Sequence, residues 1–140
     1  MATAKLIGAS IKRREDPRFI TGKGNYTDDL KLAGMTYAAF VRSPHAHARI
    51  RGIDVSRARA HPGVVAVFTG KDMTGVNSLP CGWDLRKEKN IPGVVQDLAM
   101  VPHMPLTSDV ARHVGDPVAV VIADSQDTAS DAAGKVVVDW

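Results

Sequence analysis

Two histidines one residue apart, His45 and His47, offer imidazole nitrogens that a metal ion could bridge. Side chains two apart share a face of a strand, so His-Ala-His on a strand would present both rings together. No carboxylate neighbours them in sequence, and the competing reading is a pair of half-exposed strand histidines. Gly22-Lys-Gly-Asn-Tyr26 is rich in glycine but lacks the spacing of a phosphate loop, and no strand precedes it, so it reads as a turn. The adjacent acids Glu15-Asp16 and Asp28-Asp29 read as solvated, or as partners of an arginine. Cys81 is the single cysteine, which rules out an intrachain disulfide and any cysteine-built zinc or iron–sulfur site within this chain. It stands in Leu79-Pro-Cys-Gly-Trp83, with no following helix and no nearby histidine to activate it, and reads as a structural thiol. No arrangement of Ser, His and Asp finds support. Taken residue by residue, the sequence holds no convincing active site.

The elements that would position these groups follow from composition and periodicity. Residues 1–34 are polar, charged and punctuated by Gly8, Pro17, Gly22, Gly24 and Gly34, and read as an extended arm with turns. Such a stretch buries too little to offset its own ordering entropy, so it is expected to lie on something else. Residues 35–43 read as a strand ending at Pro44, and residues 46–54 as a second, alternating strand. A short helix capped by Asp54 or Ser56 follows and stops at Pro62-Gly63. Val64 to Phe68 then reads as a buried strand, completing a βα-type unit. Residues 70–106 form a long irregular loop broken by glycine and proline, with a brief strand expected at Leu98 to Val101. Val110 to Val114 reads as a short strand. Gly115-Asp116-Pro117 reads as a tight turn that sets the entry angle of Val118 to Ala123, a strand apolar enough to be buried on both faces. Ser125 caps a helix over Gln126 to Ala133, whose Ala129, Ala132 and Ala133 allow close packing on a sheet. Gly134 is expected to weaken that helix slightly. Val136 to Trp140 reads as a last strand, parallel to its predecessor through a right-handed crossover. The fold class is therefore α+β with two or three short helices, an N-terminal arm over 1–34 and a sheet domain over 35–140. A chain that stops inside a strand is expected to be a piece of a longer polypeptide.

Charge and hydropathy narrow the function classes. The net charge is +3, split as +7 over residues 1–60 and −4 over residues 61–140. The basic half allows an acidic protein partner, or a nucleic acid whose affinity would fall steeply with salt. The aromatics among it, Phe19, Tyr26, Tyr37 and Phe40, do not form an RNA-binding signature, and no DNA-binding helix pair is visible. No apolar run approaches the ~20 residues of a membrane span. The first residues lack the apolar core of a signal peptide, so a cytoplasmic location is the expectation.

Four blocks of the sequence resemble successive landmarks of one family. Ile7-Gly-Ala-Ser-Ile-Lys-Arg-Arg-Glu-Asp-Pro-Arg-Phe-Ile-Thr-Gly-Lys-Gly-Asn-Tyr-Thr-Asp-Asp29 resembles the opening of the molybdenum-binding large subunit in the xanthine oxidase, aldehyde oxidase and aerobic carbon monoxide dehydrogenase family. Phe40-Val-Arg-Ser-Pro-His-Ala-His-Ala-Arg-Ile50, the stretch from Ile53 to Gly70, and Val114-Gly-Asp-Pro-Val-Ala-Val-Val121 are similar to the next three landmarks, in order. The resemblance implies the α/β hammerhead domain at the start of that subunit. It implies an enzyme that hydroxylates an aldehyde, a heteroaromatic carbon or carbon monoxide with water. A molybdopterin cytosine dinucleotide would carry the molybdenum, and electrons would pass to iron–sulfur clusters and FAD in partner subunits. The pterin contacts and the catalytic glutamate of the family lie in later domains, so none is carried onto this chain, which is expected to be inactive alone. Arg13, Arg14, Arg18, Arg42, His45 and His47 are the candidates for interdomain or subunit contacts, the arginines by pairing with carboxylates. The competing function is a free-standing module that docks an acidic partner through its basic arm.

Overall fold

The computed structural model describes residues 8–79 and 102–140. Cys81 and the strand expected at Leu98 to Val101 lie outside the described residues. The chain divides into two units, Met1–Met35 and Thr36–Trp140.

The first unit holds more than an extended arm. Pro17 at the first turn supports a five-residue helix, α1 (Asp16–Ile20), and a 3-10 turn follows at Thr27–Asp29. The ring of Phe19 stacks on Tyr26 at 5.6 Å, which closes the glycine-rich turn between them. Gly22 takes φ of +69° there.

The second unit contains β1 (Tyr37–Arg42), β2 (Ala48–Arg49), β3 (Gly52–Asp54), α2 (Ser56–Arg59), β4 (Val64–Thr69), β5 (Val110–Ala111), β6 (Pro117–Ala123), α3 (Gln126–Ala133) and β7 (Val137–Asp139). All described pairings are antiparallel. β6 lies between β1 and β4 in a three-stranded sheet, and β2–β5 and β3–β7 form two small ribbons. The expectation of burial on both faces of β6 holds for one face: Ala119, Val121 and Ala123 are fully buried there, whereas on the other face Val118 is buried but Val120 and Ile122 are only half-buried. On one face of this sheet Val121 and Val67 meet Ala58 of α2 and Ala132 of α3. Alanines make this contact possible, because a small side chain lets a helix approach a sheet closely. The Ser125 cap also holds, its Oγ accepting from the Thr128 amide at 3.1 Å.

Several expectations are corrected. β6 and β7 are not parallel neighbours: both hydrogen-bonding edges of β6 are taken by β1 and β4, so β7 pairs instead with β3, Ile53 opposite Val138. The same separation dissolves the unit expected from β3, α2 and β4, since β3 and β4 belong to different sheets. The strand expected over 46–54 is two short pieces, because its two halves pair with different partners, β5 and β7. β4 is an edge strand rather than a buried one; a register shift between Val64 and Ala66 accompanies Val65 at 64% exposed. Val55, not Asp54 or Ser56, occupies the N-cap of α2, though Asp54 Oδ1 does accept the Ser56 amide at 2.9 Å. Gly134 lies at the C-cap of α3, outside the helix it was expected to weaken.

β4 leads into a 3-10 turn at Gly70–Met73, where Asp72 Oδ2 accepts both the amide and the hydroxyl of Thr69, at 2.7 and 2.9 Å. These bonds hold the Asp72 carboxyl below the usual carboxylate range. A group whose pKa is depressed on folding contributes stability above its unfolded pKa, and that contribution fades as pH falls through the folded value. Urea unfolding followed from pH 7 to pH 3 should therefore show a smaller acid loss of stability in Asp72→Asn than in the parent. Gly70 is a second constraint, since a Cβ there would stand 2.6 Å from the backbone N and Cα of Ser108. Gly70→Ala should lower the unfolding free energy by about 2 kcal/mol, the scale of overpacking against atoms that cannot yield.

Candidate functional site

The described residues bring their polar side chains together most closely around Asp116. Gly115 adopts φ of +91°, a region that favours glycine, and this turns the chain sharply into β6. The turn is fixed to the end of β1 by reciprocal bonds: the Ser43 amide donates to the Asp116 carbonyl at 2.9 Å, and the Gly115 amide to the Ser43 carbonyl at 2.8 Å. Arg42 Nη1 donates to the Gly115 carbonyl at 2.9 Å.

Inside this corner the Asp116 side chain is 7% exposed. Oδ1 accepts the buried Thr107 hydroxyl at 2.8 Å and Oδ2 accepts the Arg112 amide at 2.9 Å. His113 Nδ1 stands 3.7 Å from Oδ2, and the His113 ring lies 5.8 Å from that of His103. Thr107 is also held through its amide, which donates to the Pro117 carbonyl at 2.8 Å. The carboxylate thus ties together residues 107, 112 and 116. A buried carboxyl group with such partners is costly to truncate, because each buried donor would lose its acceptor.

A cavity of about 180 Å³ opens on this corner, lined by His103, Met104, Ser108, Asp109, Arg112 and Asp116 among others. Asp116 is committed to structural bonds. Asp109 is exposed, with its Oδ1 3.9 Å from Arg112 Nη1 and accepting the Val110 amide. Among the described residues no three His, Cys, Asp or Glu side chains converge as metal ligands. The described donor set therefore does not fit a molybdenum centre, and no step of a reaction is assigned to it.

The six residues expected from the sequence fall in different places. Arg13, Arg14 and Arg18 belong to the first unit and are exposed. Arg13 Nε pairs with Asp16 at 3.0 Å, and the Arg18 guanidinium lies 5.0 Å from the Phe19 ring centre. Arg42 is at the end of β1. His45 and His47 are not on a strand: they occupy a bend between β1 and β2, so the shared face expected of His-Ala-His does not form. The bend is shaped by Ser43, whose Oγ accepts the His45 amide and donates to the His45 carbonyl, both at 3.0 Å. The His45 ring meets Trp140 edge-on at 5.2 Å, and His47 is exposed. The group around Asp116 was read only as turn chemistry. The overlooked signal is an acid placed directly before a strand apolar enough to be buried, which draws its carboxylate into the interior with it.

Removing the Asp116 charge tests whether this corner is structural. Asp116→Ala should lower stability by about 2 kcal/mol, because the Thr107 hydroxyl and the Arg112 amide both lose the acceptor they now share. Asp109→Asn, which loses only an exposed pair, should cost less than about 0.5 kcal/mol. Urea unfolding of the two variants measures the contrast.

Comparison with known proteins gives the arrangement a context. A family profile described as "Aldehyde oxidase and xanthine dehydrogenase, a/b hammerhead domain" matches residues 21–140. The chain is 42% identical over 134 residues to the carbon monoxide dehydrogenase large chain of Afipia carboxidovorans, covering 96% of this chain and 15% of that protein. It is 38% identical over 139 residues to the nicotine 6-hydroxylase large subunit of Paenarthrobacter nicotinovorans, again covering 96% of this chain and 15% of that one. Its fold superimposes on the crystal structure of quinoline 2-oxidoreductase from Pseudomonas putida 86 with a TM-score of 0.76 and 40% identity, over 94% of this chain and 16% of the other. The chain spans about 15% of the length of the curated relatives it matches.

Proposed function

The chain belongs to the aldehyde oxidase and xanthine dehydrogenase hammerhead-domain family, and from that premise we propose that it is the bracing N-terminal domain of the large subunit of a molybdenum hydroxylase. The observation that carries this reading is the match across residues 21–140 to a hammerhead domain, in a chain that spans only 15% of its relatives' length. The names of those relatives include a carbon monoxide dehydrogenase large chain and a nicotine hydroxylase large subunit. In this reading the complete enzyme oxidises an aldehyde, an N-heteroaromatic compound or carbon monoxide, taking oxygen from water. Molybdopterin, in its cytosine dinucleotide form, supplies the two-electron chemistry when bound. Iron–sulfur and FAD subunits receive the electrons. A cytoplasmic location goes with this assignment, and among the described residues no helix is long and apolar enough to cross a membrane.

The role proposed for this chain is mechanical. Its described polar groups make bonds that hold turns and sheet edges: the Asp116 side chain to Thr107 and Arg112, the Ser43 backbone to the 115–116 turn, the Asp72 side chain to Thr69. Each satisfies buried or turn-forming polar groups, as a scaffold requires. Arg13, Arg14, Arg18, Arg42, His45 and His47 are proposed to face neighbouring domains or subunits. The reading that competes is a free module binding an acidic protein through residues 1–34.

Metal analysis decides between them. The complex purified from its source through a tag on this polypeptide should contain about one molybdenum per large subunit and should oxidise at least one of an aldehyde, an N-heterocycle or carbon monoxide. The 140-residue chain produced alone should contain none and turn over none of them. Stoichiometric molybdenum in the isolated chain, or none in the native complex, would contradict the proposal.

A further inference from the structure

The outer face of the three-stranded sheet is apolar in a pattern that solvent exposure does not explain. The register places Phe40 of β1 opposite Val120 of β6, and Val120 opposite Phe68 of β4. One row along, Ala38, Ile122 and Ala66 are paired in the same way. These six side chains share one face, because each alternates with residues packed toward α2 and α3. Phe40 is 48% exposed and Phe68 41% exposed, while Val120 and Ile122 are half-buried. A solvated face of an antiparallel sheet ordinarily carries polar residues at these positions. Here two complete cross-strand rows carry none. Arg42 marks the rim, its guanidinium 5.4 Å from the Phe40 ring centre and bonded to the Gly115 carbonyl.

We propose that this face, centred on Phe40, Val120 and Phe68, is the docking surface for an apolar segment of the same large subunit lying outside residues 1–140. The inference rests on the hydroxylase reading above. Two observations choose the occupant. The rows offer no charged side chain for a polar partner, so what covers them must itself be apolar. Relatives carry about 85% of their polypeptide outside the matched region, and a covalently tethered segment competes at an effective concentration that a free protein or second copy does not reach. Contiguous apolar surface of this kind marks an interaction site more often than an accident of composition.

The test uses the complete native complex. Hydroxyl-radical labelling of Phe40 and Phe68 should be at least fivefold slower in the folded complex than in the same complex unfolded in urea; a smaller difference overturns the proposal. Replacing Phe68 with p-benzoylphenylalanine in the complex and irradiating it should give crosslinks to large-subunit peptides outside residues 1–140. Crosslinks confined to residues 1–140, to another subunit, or, in isotopically mixed complexes, to a second copy would contradict the assigned occupant, as would the absence of crosslinks. Molybdenum measured on the same preparation separates the two failures. Unprotected phenylalanines in a complex that contains molybdenum reject the docking face alone, whereas a complex without molybdenum rejects the hydroxylase reading beneath it.

Discussion

The second unit is organised around β6, which is paired along both edges and covered by helices on one face. Val118, Ala119, Val121 and Ala123 exclude water completely, and both hydrogen-bonding edges of the strand are occupied by β1 and β4. One face is covered by α2 and α3 through alanine contacts. On the other face two phenylalanines leave nearly half their surface exposed. A three-stranded sheet with a single layer of short helices has only one side of a core, and stable domains are built from packed layers. The sheet therefore carries an apolar demand that the described residues of this unit meet on one side only.

The polar groups of the unit serve that same strand. Asp116 sits at its entrance and spends both carboxylate oxygens on the preceding chain, while Gly115 and Ser43 lock the turn to the end of β1. Thr107 is bound at once to the Asp116 side chain and the Pro117 carbonyl. Both oxygens of Asp116 are thus taken up by structural bonds. A rigid corner supported by buried hydrogen bonds is suited to holding a fixed surface for another part of a protein. The chain belongs to the hammerhead-domain family and spans about 15% of the length of the relatives named above.

Much of this was legible from residue order, and the reasons are local. β6 announces itself by six apolar residues in a row, α3 by a serine cap ahead of three alanines, and β1 by its aromatic and aliphatic alternation. The pairing of strands was less accessible. Residues 46–54 look like one alternating strand, yet their fate is decided by Val110–Ala111 and Val137–Asp139, far away in sequence. The same non-local choice turned the expected parallel crossover into an antiparallel ribbon. His45 and His47 followed from this error, since their common face depended on a strand that becomes a bend. Asp116 was visible as a turn residue, but its burial depends on Thr107 and Arg112 closing over it, and a Gly-Asp-Pro sequence does not distinguish an exposed turn from a buried one. The family resemblance supplied what local reasoning lacked, because four ordered blocks constrain the fold jointly even where none specifies a pairing.

The central proposal is that these residues brace a metal centre held by other parts of the enzyme, without touching it. Anomalous diffraction at the molybdenum edge, from crystals of the complete enzyme, locates the metal relative to every side chain of this stretch. The account predicts a single molybdenum peak with no atom of residues 1–140 within bonding distance. A peak coordinated by His45, His47, Asp109 or Asp116 would contradict it.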